Sequence, residues 1–91
     1  DGLVNNVMPI EPLEQKWQSF GWHTMTIDGH DFKAIHDACN AARAEKDKPS
    51  MIIAKTVKGK GVSFLEKDTV GWHGKALSEE ELAKAIKELS E

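Results

Sequence analysis

Two short apolar runs separated by one amphipathic stretch constrain this chain more than anything else in it. Trp22 to Ile27, reading WHTMTI, is rich in β-branched and aromatic residues and bounded by glycines, as a strand is. Phe32, Ile35, Ala38, Cys39 and Ala42 then recur at helical spacing, with His30 or Asp31 as the cap and Pro49 beyond the end. Met51 to Val57, MIIAKTV, is apolar without clean alternation, the pattern of a strand covered on both faces. Strand, helix and strand in this order predict a parallel pair with a right-handed crossover. Two parallel strands leave two open edges, and both faces need helices. The expectation is therefore a piece of a larger α/β sheet, or a chain that needs partner chains to complete one.

The flanks fill in the pattern. Pro12 suits a first helical turn, and Leu13, Trp17 and Phe20 form one stripe, so a helix is expected over 12–20 with Gly21 closing it. Residues 1–10 read as an irregular lead-in and 58–77 as a long loop. Ser78 caps a last helix over 79–90, and Glu81 completes a capping box. Its inner stripe is Leu82, Ala85, Ile86 and Leu89. The predicted class is α/β: a partial three-layer parallel sheet in the order helix, strand, helix, strand, loop, helix.

Composition excludes more than it selects. A length of 91 residues allows one small domain with a marginal core, burying about 60–65% of its unfolded surface. A formal net charge of −3 argues against a general nucleic-acid binder. The sequence lacks the apolar run of about 18 residues that a membrane span needs. The single cysteine, Cys39, has no internal disulfide partner and fits a reducing cytoplasm. The chain opens DGLVNN without methionine, as a cut end would, and shows no signal peptide.

The chemistry concentrates after the second strand, in KTVKGKGVSFLEKDTVGWHGKALSEEEL. Ligands of open α/β sheets lie beyond the carboxyl ends of the strands, which is where this loop begins. Gly59 and Gly61 let backbone approach a ligand closely. Lys55, Lys58 and Lys60 bring positive charge, and His73 can donate a hydrogen bond or move a proton near neutral pH. The set suits a phosphate or diphosphate. K-G-K-G has neither P-loop nor dinucleotide-fold spacing, so the pattern alone favours a solvated basic turn over a ligand site. His73 reads equally as structural, and Trp72 as packing. His23, His30, His36 and His73 match no zinc spacing, so no metal site is assigned. Asp28, His30 and Asp31 read as turn and cap, Cys39 as a core thiol, and Glu79 to Glu81 as compensating a helix dipole.

Four segments in order, EPLEQKWQSFGW, TIDGHD, KPSMIIAKTVKGKGVSF and GWHGKALS, resemble the thiamine diphosphate (ThDP)-dependent transketolases. The likeness covers roughly residues 9–91. It is greatest to the N-terminal subunit of the bacterial and archaeal type in which two subunits share the enzyme. The resemblance implies that residues 1–91 are the C-terminal portion of the diphosphate-binding (PP) domain. It implies ThDP and Mg2+ as cofactors, with the metal motif upstream of this chain and the activating glutamate on the pyrimidine-binding domain or subunit. By position, Lys58 matches a lysine at the cofactor and donor-sugar site. His73 matches a histidine at the cofactor diphosphate and the donor hydroxyl, and so is the candidate catalytic residue. Lys60, Gly59 and Gly61 match the same loop, with Lys60 a further candidate for substrate binding. The implied reaction moves a two-carbon ketol unit between ketose and aldose phosphates, in a cytoplasmic homo- or hetero-oligomer. The chain alone is expected to be inactive. Two alternatives stay open: another ThDP enzyme such as deoxyxylulose-phosphate synthase, and a non-catalytic α/β module for binding or assembly.

Overall fold

The computed structural model describes residues 2–8 and 10–91, with only the backbone of Asn5 and Val7. The chain forms two compact units, Pro9–Thr56 and Asp1–Met8 with Val57–Glu91. The first contains helix α2 (Leu13–Ser19), strand β1 (His23–Asp28), helix α3 (Phe32–Ala44) and strand β2 (Ser50–Lys55). The second contains helix α1 (Val4–Val7), helix α4 (Ser63–Lys67) and helix α5 (Glu79–Leu89).

In the first unit β1 and β2 pair in parallel, in register from His23 opposite Ser50 to Asp28 opposite Lys55. Thr26 Oγ1 donates to Glu14 Oε2 at 2.7 Å, so this face of β1 looks to α2. Met25 and Ile27 alternate to the other face, where α3 presents Ala34, Ala38 and Ala41. Helix, sheet and helix make three layers, as the pattern of the sequence predicts. The end of α2 is a full Schellman motif. Gly21, at φ +84°, donates to the Gln18 carbonyl at 2.9 Å, and Trp22 donates to the Trp17 carbonyl at 3.3 Å. The same two tryptophans meet edge to face at 4.9 Å, the apolar contact that accompanies this cap. At the far end of β1, Asp28 accepts from the His30 amide at 2.9 Å, and Asp31 caps α3 by accepting from Lys33 and Ala34 at 3.0 and 3.2 Å. Gly29 lies so close to the end of β2 that a Cβ there would stand 2.6 Å from Thr56 Cγ2.

In the second unit the expected capping box is present. Glu81 donates its amide to Ser78 Oγ at 3.2 Å, and Ser78 donates its own to Glu81 Oε1 at 2.9 Å. Two expectations need correction here. The loop 58–77 contains α4, and the irregular lead-in 1–10 contains α1; residues 1 and 9 of that lead-in lie outside the described residues. Helix α4 has five residues, too few for a periodic signal. It is held by tertiary contacts: Val62 before it is buried, and the Ser63 amide points at the Glu88 carboxylate at 3.3 Å, 25 residues along the chain.

The expected double burial of the second strand also fails. Ser50 to Ile53 are half-buried, Ala54 and Lys55 are exposed, and Thr56 and Val57 fall outside the ladder. Each strand has a neighbour on one side only, so water reaches it along the other edge. Phe20 sits past the end of α2 and is 76% exposed rather than part of an inner stripe. The buried hydrophobic residues among those described are small: Ala38, Val62 and Ala85.

Candidate functional site

Helix α4 organises the turn that follows β2. Gly59, at φ +76°, packs against Leu65, where a Cβ would approach Leu65 Cβ to 2.6 Å. Only glycine satisfies both that backbone conformation and that contact. The Gly61 amide donates to Glu66 Oε2 at 3.2 Å, tying the K-G-K-G turn to the same helix. Further on, Trp72 is anchored twice on α4: its indole N–H donates to the Phe64 carbonyl at 3.2 Å, and its ring meets the Phe64 ring edge to face at 5.5 Å. The turn and the Trp72 segment are thus fastened to one short helix from opposite ends of the loop.

Between them lies a cleft of about 220 Å³ lined by Lys58, Gly59, Leu65, Trp72, Lys75 and Leu77. Leu65, Leu77 and the indole form an apolar floor. Lys58 and Lys75 both line the cleft, and its described residues include no carboxylate. Lys58 Nζ donates to the Thr69 carbonyl at 2.8 Å. One of its three N–H bonds therefore fixes the loop, and two remain for other acceptors. Lys75 Nζ stands 4.5 Å from the centre of the Trp72 ring, within cation–π distance.

The structure brings only part of the sequence-derived set to this cleft. Lys58 and Gly59 line it; His73, Lys60 and Gly61 do not. His73 and Lys60 are exposed on the same turn-rich segment, and the His73 amide donates to the Val70 carbonyl at 3.2 Å. Trp72 packs, as the sequence implies. Lys75 and Leu77 also line the cleft, and no sequence pattern marks them, because their spacing from Lys58 follows no recognisable motif. In the first unit a hollow of about 390 Å³ is lined by Glu11, Glu14 and Lys55 among others. Its two carboxylates repel an anion, so the Lys58 cleft is the better phosphate site. Among the described residues no group of three His, Cys, Asp or Glu side chains could hold a metal ion. No helix among them is long and apolar enough to cross a membrane.

A parallel βαβ unit followed by a lysine-lined cleft defines an α/β domain with a cationic site. Residues 1–90 match the family described as the thiamine diphosphate binding domain of transketolase. The chain belongs to that family. It is 45% identical over 89 residues to the 6-deoxy-6-sulfo-D-fructose transketolase subunit SqwG of Clostridium sp. (strain MSTE9), covering 98% of this chain and 32% of that protein. It is 36% identical over 80 residues to transketolase of Mus musculus, covering 88% of this chain and 12% of that one. Transketolase-like protein 2 of Bos taurus is 44% identical over 70 residues, 77% of this chain and 11% of its own length. The chain thus spans a third or less of these relatives. The described lining, with two lysines and no carboxylate, fits the diphosphate of the cofactor in the family's description.

Proposed function

We propose that this chain supplies one wall of a transketolase site, in which a two-carbon ketol unit passes from a ketose phosphate to an aldose phosphate. The observation that carries this reading is the cleft whose described lining joins Lys58 and Lys75 to Leu65, Trp72 and Leu77 with no carboxylate, in a chain of the transketolase family. Lys58 offsets phosphate charge while its bond to Thr69 keeps the loop in shape. His73 donates a hydrogen bond to the donor sugar and assists a proton transfer there. Lys60 adds positive charge on the same turn. ThDP, when bound, would supply the carbanion chemistry that breaks the carbon–carbon bond, with Mg2+ held by residues of the complete enzyme. The remaining walls come from the rest of the PP domain and from the pyrimidine-binding domain or subunit.

The test is turnover of the full-length protein with its partners, ThDP, Mg2+, and ketose and aldose phosphates. His73→Ala should lower kcat more than it weakens cofactor binding, because a contact strengthened in the transition state appears in kcat. Full turnover at saturating cofactor and sugar would remove His73 from this role.

A further inference from the structure

We propose, resting on the transketolase reading for the reaction itself, that Glu88 on the last helix is a positioning residue for the site. Through α4 it sets where the Lys58–Gly61 turn and the Trp72–His73 segment stand.

Helix α4 has five residues, and both ends of the loop are tied to it. Leu65 packs on Gly59, and the Glu66 carboxylate accepts from the Gly61 amide at 3.2 Å, which holds the turn. The Phe64 carbonyl and ring hold Trp72, the residue before His73. A helix this short does not fix its own place, because its few backbone bonds do not offset the cost of ordering it. Helix α5 fixes it. Ser63 donates its amide between the two Glu88 carboxylate oxygens, 3.3 and 3.4 Å away, and its hydroxyl adds a second bond. One turn back along α5, Lys84 Nζ stands 5.3 Å from the centre of the Phe64 ring. Leu89 lies against Gly61, where an added Cβ would meet its Cδ2 at 3.0 Å. Lys84 and Lys67 are the charges beside the Glu88 carboxylate, and both favour its ionised form. Glu88 is absent from the described lining of the Lys58 cleft, so its influence on the reaction passes through α4.

The test uses the full-length protein with its partners, ThDP, Mg2+, and ketose and aldose phosphates. Turnover is counted per ThDP-loaded site, so that unfolded protein does not enter. Glu88→Ala removes the acceptor. Ser63→Pro removes the amide donor at a first helical position that proline suits, after a Val62 already extended at φ −121° and ψ 108°. Each should lower kcat by about ten- to a hundredfold, the cost of misplacing a reacting group by about an ångström, with KM values and ThDP affinity within about threefold. Glu88→Gln keeps an oxygen acceptor and should recover most of that kcat. The double variant Glu88→Ala, Ser63→Pro should be no slower than the slower single one, because both break the same link. Amide exchange should quicken at Gly61, Leu65 and Trp72 in the variants that lose kcat, and not in Glu88→Gln. If Glu88→Ala does not fold, Ser63→Pro against Glu88→Gln carries the comparison. Full kcat per loaded site in Glu88→Ala or Ser63→Pro, whatever their stability, would overturn the proposal, as would an equal loss in Glu88→Gln. A wild type without ketol transfer would remove the transketolase reading; the exchange rates then decide the linkage, and unchanged rates in Glu88→Ala and Ser63→Pro would refute it.

Discussion

Replacing Gly59 with alanine adds one methyl group where two physical costs meet. The backbone stands at φ +76°, a left-handed conformation that costs an L-residue roughly 1–2 kcal/mol. The new Cβ would also lie 2.6 Å from Leu65 Cβ and 3.1 Å from the Leu65 carbonyl carbon. Neither atom is the tip of a flexible side chain, so helix α4 itself must move, an overpacking cost of about 1–3 kcal/mol. Together the two effects come to about 2–5 kcal/mol. Gly21→Ala is the internal comparison. Gly21 has φ +84° but nothing within 4 Å of its Cβ position, so only the conformational part, roughly 1–2 kcal/mol, applies. Urea denaturation of both variants measures the difference, provided the slope of stability against urea is unchanged. If the clash is relieved by local opening instead, amide exchange at Leu65 to Lys67 should quicken. Leu65→Ala should not rescue Gly59→Ala, because the contacted Cβ remains. Leu65→Gly should, seen as favourable coupling in a double-mutant cycle. A Gly59→Ala variant no less stable than Gly21→Ala, with unchanged exchange in α4, would refute the packing account.

Three further outcomes follow from other parts of the molecule. Ser78→Ala removes the capping box and should cost about 1 kcal/mol, read as lower helicity and an earlier unfolding midpoint. Hydrogen bonds from Ser63 hold the Glu88 carboxyl below its ordinary range, and the Ser78 amide does the same for Glu81. A carboxyl with a lower pKa folded than unfolded stabilises above its ordinary value and loses that contribution as pH falls through its folded value. Stability should therefore drop on acidification below the ordinary value of 4.5; Glu88→Gln should flatten part of that slope, and an unchanged slope would count against the Ser63 contact. Finally, Phe32 is 87% exposed, Phe20 76% and Leu89 63%, and the two strands have open edges, so a second copy has both apolar side chains and backbone to cover. Residues 1–91 alone should self-associate or bind a hydrophobic dye, and a monomeric mass at high concentration with sharp two-state unfolding would contradict this.

What the amino-acid order determined by itself is local. Gly21 after Trp17 and Phe20, Asp31 before Phe32, and Ser78 three residues before Glu81 each specify a helix end within a few residues, so their hydrogen bonds are legible without coordinates. The two apolar runs and the helix between them likewise determine a parallel pair, because a helical crossover returns the chain to the same end of the sheet. Its α/β character and lysine- and glycine-rich turn were therefore visible in the sequence. Tertiary structure decided the rest. Helix α4 exists because Glu88 meets the Ser63 amide and Val62 is buried, contacts whose partners lie too far along the chain for any local pattern to show. That helix in turn places Lys58 and Lys75 at one cleft and leaves His73 outside its lining. Spacing along the chain sets residue identity and backbone preference; only packing sets which charges face the same space.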